Sequence, residues 1–163
     1  MATVTTLAKA EGGKGNPNRK PYMVEVEIDL AAAATAKGSA LVATDVIECI
    51  TVGANTAVLF AGTEIVTAPT GGTSATFDLG ITGGDVDAFV DGGAITSATA
   101  GTYAAMANTA VPIAVSTSDT IDMLLIGTTI DTAGKIRVYA MLQDIDSLGS
   151  SKAADEVDRD TLA

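Results

Sequence analysis

The chain contains no histidine, no tryptophan, a single cysteine, and no lysine or arginine between Lys37 and Lys135. Each gap removes a class of chemistry. Without imidazole there is no usual general base, no commonest metal ligand, and no Ser-His or Cys-His pair. Cys49 alone can close no intrachain disulfide and build no thiolate zinc site. Set between Ile47 and Ile50, it is expected in the core as a small apolar residue. Serine and threonine are plentiful, but no base is present to activate them, so an enzyme is the poorest reading. No apolar run approaches the roughly eighteen residues that a membrane-spanning helix needs. The N-terminus also lacks the pattern of a cleaved secretory signal, so a soluble, non-exported protein without membrane contact is expected.

The charge that is present is unevenly placed. The net charge is −11. Lys9, Lys14, Arg19 and Lys20 face one acid, Glu11, in the first twenty residues, whereas every charge from Asp45 to Asp131 is negative. A body of one sign repels nucleic acid and anionic membranes, so neither is expected as a direct partner. A basic arm on such a body suits an acidic protein surface instead, and Lys9, Lys14, Arg19 and Lys20 are the candidate partner-binding residues.

At 163 residues the chain is long enough for one domain with a real core. Residues 1–21, rich in glycine, asparagine and proline without apolar periodicity, are expected to form an extended arm ordered by a neighbouring subunit. Residues 22–146 carry the strands, and residues 147–163 read as a polar tail. Val24, Val26, Ile28 and Leu30 alternate with Met23, Glu25, Glu27 and Asp29. Ile136, Val138, Ala140 and Leu142 alternate with Arg137, Tyr139 and Gln143. In the stretch GGTSATFDLGITGGDVDAFVDGG, from Gly71 to Gly93, Ala75, Phe77, Leu79 and Ile81 oppose Ser74, Thr76, Asp78 and Thr82. A period of two over such lengths marks half-buried strands, because successive side chains point to opposite faces.

Ala31–Lys37, closed by Gly38 and Ser39, is expected to be a short turn or loop. The runs 45–52 and 57–67, joined through Gly53, Ala54, Asn55 and Thr56, have the spacing of a hairpin, as do 111–116 and 120–127. Gly62 predicts a bulge or bend. Several short strands about ten residues apart, with no helix predicted between them, predict an all-β antiparallel β-sandwich. A jelly roll is preferred within that class, and an immunoglobulin-like Greek key is the alternative.

Two loops invite a site reading. Asp85, Asp87 and Asp91, among four glycines, could converge on a calcium ion, but Ala88–Val90 are apolar where an EF-hand needs ligands, and solvated turn acids are the preferred reading. GGTSAT lacks the GK[ST] ending of a phosphate loop. Neither a cofactor nor a resident metal is therefore expected. For sugar stacking, Tyr22, Phe89, Tyr103 and Tyr139 are few and scattered along the chain.

The string Thr44-Asp45-Val46-Ile47-Glu48-Cys49-Ile50, with Gly53, the strand Val58–Phe60, and then the Gly71–Gly93 stretch, resembles the capsid decoration (cement) proteins of tailed phages. The resemblance spans roughly Tyr22 to Ile145. It implies a β-sandwich that trimerises on the outer surface of the virion and bridges neighbouring major capsid proteins without catalysing a reaction. The arm has no counterpart in that pattern. A different class, a head-fibre or tail-associated adhesin domain that binds a carbohydrate or receptor, would need exposed aromatics grouped around a groove.

Overall fold

The computed structural model describes residues 3–4, 10–11, 21–105 and 112–145. Eleven strands and one helix follow in order: β1 (Thr3–Val4), β2 (Ala10–Glu11), β3 (Tyr22–Asp29), α1 (Leu30–Lys37), β4 (Val46–Val52), β5 (Thr56–Thr70), β6 (Thr76–Ile81), β7 (Val90–Ala94), β8 (Tyr103–Ala105), β9 (Ile113–Val115), β10 (Asp119–Ile126) and β11 (Ala133–Asp144). One sheet runs β1-β4-β10-β6-β7 and the other β3-β11-β5-β8, with β2 also on β4 and β9 also on β5. Apart from β1 and β2, which run parallel to β4, the pairings are antiparallel. The chain passes repeatedly from one sheet to the other, and its first and last long strands lie side by side. That connectivity is the jelly roll, the expected form of sandwich.

The alternation in β3 and β11 is reproduced as expected, whereas β6 is buried on both faces from Phe77 to Ile81. Ile136, Val138, Ala140 and Leu142 are wholly buried, and Phe77 and Leu79 join Phe89, Ile95, Ile121, Met123 and Leu125 between the sheets. Both hairpins are corrected. β4 and β5 lie in different sheets, as do β9 and β10, so their connections arch across the sandwich. Asn55, at a left-handed φ of 56°, supplies the tight turn in the first arch. Such turn chemistry is the same whether the flanking runs pair or part.

The expected loop at Ala31–Lys37 is a helix. Its alanines favour helix, and both ends are capped. The Asp29 carboxylate accepts from the backbone N–H of Ala31 at 2.9 Å and of Ala32 at 3.1 Å. At the other end Gly38, at φ 78°, turns left-handed and donates to the carbonyls of Ala34 and Thr35. Lys37 then reaches out of the last turn to the Ala40 carbonyl and the buried Asp45 carboxylate, which also accepts from Val42 N–H. The loop after the helix is thereby tied to the start of β4.

Asp78, expected in solvent opposite Phe77, is buried and accepts from Gly92 N–H at 2.8 Å. The chain after β6 folds back over its outer face, so close that a Cβ on Gly80 would lie 2.2 Å from the Asp85 carbonyl oxygen. Asp131 has a comparable place between loops. It is 1% exposed and accepts from Gly72 N–H at 3.1 Å and from the Thr96 hydroxyl at 2.7 Å, while Thr96 Oγ1 accepts from Ala75 N–H. Replacing Asp131 with Ala strands these donors. It should cost about 1–3 kcal/mol, read as a lower urea midpoint with an unchanged slope.

Cys49 is in the core, as expected, and its thiol donates to the Ile47 carbonyl at 3.2 Å. Burial pushes the thiol pKa far above its ordinary value, and the nearby Asp122 adds to the shift. The thiol is therefore neutral at any ordinary pH and closed to reagents. A maleimide at pH 8 should leave the native protein unlabelled and modify it only at the rate of global unfolding. Fast labelling of the folded chain would contradict this placement.

Candidate docking surface

The exposed face of the five-stranded sheet is built by register. β11 lies between β3 and β5, so three rows cross the sheet: Met23, Met141 and Phe60; Glu25, Tyr139 and Gly62; Glu27, Arg137 and Glu64. β8 extends the last row, with Tyr103 opposite Glu64. These residues alternate with the buried Val138 and Ala140 and so point away from the core.

The centre of this face is aromatic. Phe60 and Tyr139 stack with centroids 5.8 Å apart and planes 25° from parallel. Tyr139 also lies over Gly62, where an added Cβ would sit 2.9 Å from its hydroxyl. Gly62 therefore serves close approach of a ring. The expected bulge is displaced, falling where Met141 and Leu142 pair with Phe60 and Val58 and leave Leu59 unmatched. Tyr103, 62% exposed, and Met23, 57% exposed, flank the stack.

Charged side chains form the rim. Arg137 donates to Glu64 at 2.9 Å and Lys135 to Glu27 at 2.8 Å. A hydrogen bond between the Tyr103 hydroxyl and Glu64 raises the Tyr103 pKa, with the charge of Glu64 adding to it. Burial raises that of Tyr139, and burial followed by Asp144 raises that of Tyr22. All three phenols are held neutral by the fold, so their contribution to stability is complete below the ordinary tyrosine pKa of about 10 and is lost as pH rises through their higher folded values. A phenolate absorbance titration should show all three tyrosines ionising late. Glu64→Gln should bring Tyr103 back toward its ordinary value.

A flat apolar centre with an Arg and carboxylate rim is suited to binding. Tyr, Met and Arg are enriched where proteins meet. Three of the chain's six aromatic residues are gathered here. The expectation of scattered aromatics is thus corrected for Tyr103 and Tyr139. Phe60, which sequence reasoning passed over, joins them because β5 and β11 are neighbours.

The other candidates fall elsewhere. Lys9, Lys14, Arg19 and Lys20 lie outside the described residues. Lys37, Lys135 and Arg137, the cations that are described, each pair with a carboxylate. Asp85 and Asp91 are exposed, and a hydrogen bond with the Asp87 carboxyl raises the Asp85 pKa. Among the described residues no group of three acids or thiols is placed to hold a metal ion.

The same fold occurs in solved virion structures. A chain from the capsid of Ralstonia phage GP4 superposes with a TM-score of 0.59 at 16% identity, covering 78% of this chain and 86% of that one. A chain from the acidic stable capsid structure of Helicobacter pylori bacteriophage KHP30 gives 0.52 at 10% identity, covering 76% and 86%. One from the capsid asymmetric unit of cyanophage Pam1 gives 0.53 at 14%, covering 85% and 93%. This is a fold found in phage capsids. The likeness spans most of both chains each time. No protein-family model and no curated protein matches the sequence.

Proposed function

We propose that this chain is a structural protein of a phage virion, one that binds the outside of an assembled capsid and bridges neighbouring major capsid subunits. The observation that carries the reading is the likeness to three capsid-derived chains, each shorter than this one in proportion to the coverage. Chains of that size suit an accessory subunit. The rigid sandwich supports it as well, since a clamp across a joint must resist shear, and many modest contacts sum when copies bind together. In this reading the chain is a homotrimer at a symmetry axis of the shell. Residues 1–21 form an arm, tied to β4 at β1 and β2, that reaches the neighbouring subunit through Lys9, Lys14, Arg19 and Lys20, residues 22–146 are the sandwich, and residues 147–163 are a second reaching segment. The face around Phe60, Tyr139 and Tyr103 meets the shell.

Grouping of the three aromatics also favours an adhesin domain that stacks a sugar or receptor on Tyr103. The two readings separate in one experiment: purified protein is mixed with shells preformed from the major capsid protein and sedimented, and its mass is measured in solution. The decoration reading expects a trimer that co-sediments. It also expects Tyr103→Ala to weaken attachment at least about tenfold while leaving the chain folded, since the side chain is exposed. Charge reversal of Lys9, Lys14, Arg19 and Lys20 should weaken attachment as well. A monomer that ignores shells and binds glycan would reverse the ranking.

A further inference from the structure

An antiparallel sheet has free edges, and a free edge is a template for another strand. Three of the four edges here are blunted. β4 is covered by the short pieces β1 and β2; β7 has five residues, two of them glycines; β8 and β9 have three residues each. The fourth is different. β3 keeps an unbroken register with β11 from Asp29 opposite Lys135 to Tyr22 opposite Leu142, has no proline and no bulge, and among the described residues pairs with no strand on its other side.

The core is also thinner there. On β11 the inward residues Ile136, Val138, Ala140 and Leu142 are completely buried, while on β3 Tyr22, Val24 and Val26 are only half-buried. A strand laid beside β3 would cover them. On the outer face it would lie next to Glu25 and Glu27, exposed acids on a sandwich whose residues 21–145 carry fourteen carboxylates and three cations. A second copy is a poor occupant, because antiparallel pairing of two β3 strands sets these acids against each other, and like charges directly opposite are destabilising.

We propose that the open edge of β3 accepts an extended segment of the partner protein, six to eight residues in which apolar side chains alternate with lysine or arginine. The apolar positions extend the layer over Val24 and Val26, the cations pair with Glu25 and Glu27, and backbone hydrogen bonds supply the rest. Assignment of that segment to the capsid shell rests on the function proposed above; the chemistry of the edge does not.

The test uses the full chain and two blocked eight-residue peptides, one alternating valine and lysine, the other valine and glutamate, with hydrogen exchange as readout. The lysine peptide is expected to slow exchange of those β3 amides that do not bond to β11, and the glutamate peptide to leave them unchanged. Glu25→Lys, at an exposed position, should lower affinity for the lysine peptide about fivefold to tenfold as an attractive cross-strand pair becomes repulsive. Equal binding of both peptides, binding of neither, protection at another edge, or β3 edge amides already protected in the free chain would each overturn the inference. Shell sedimentation is scored separately. A chain that captures the peptide but ignores shells supports the edge and removes the decoration reading; one that coats shells but captures no peptide does the reverse.

Discussion

The structure depends on β11 being paired along both sides. This strand joins β3, at the start of the sandwich, to β5, and its inward side chains Ile136, Val138, Ala140 and Leu142 close the core. Contacts between residues more than a hundred positions apart in the chain have to form together, which is the folding cost of a non-local β topology. Once they form, the outer face needs no separate specification. With the even-numbered residues of β11 committed to the core, Arg137, Tyr139 and Met141 must face outward, and register sets Met23, Glu25 and Glu27 on one side and Phe60, Gly62 and Glu64 on the other.

Charge is organised around the same sheet. The described cations are consumed internally: Lys37 by Asp45 beneath the loop after α1, Lys135 by Glu27, and Arg137 by Glu64. Lys135–Glu27 is an exposed pair whose worth to stability is small, Arg137–Glu64 is part-buried, and both orient the rim around the aromatic stack. The remaining carboxylates give the sandwich a field of one sign. Such a field favours partners that bring cations or apolar surface.

Much of the fold was legible locally. The alternations in β3 and β11 were readable because each strand has one face on the core, and the burial of Cys49 followed from its apolar neighbours. α1 was missed because its evidence lies in its caps, Asp29 and Gly38, and only geometry shows that a carboxylate meets two amide donors. Asp78 was misplaced because its cover comes from the segment after β6, which no periodicity within β6 could announce. Gly62 was readable as an anomaly, but its cause, the ring of Tyr139, lies on another strand.

By itself, then, the sequence determined the class of fold: an acidic β-sandwich, in a chain with no histidine and a single cysteine. Those are properties of residue type and short-range order, which composition and a two-residue period carry completely. Only the tertiary structure decided that 45–52 and 57–67 part company into different sheets, that Phe60, Tyr103 and Tyr139 form one face, and that among the described residues β3 pairs with a strand on one side only. The physical reason is that strand pairing is chosen by the fit of whole apolar faces across the sandwich, an energy shared among residues distant in sequence and invisible in any one segment.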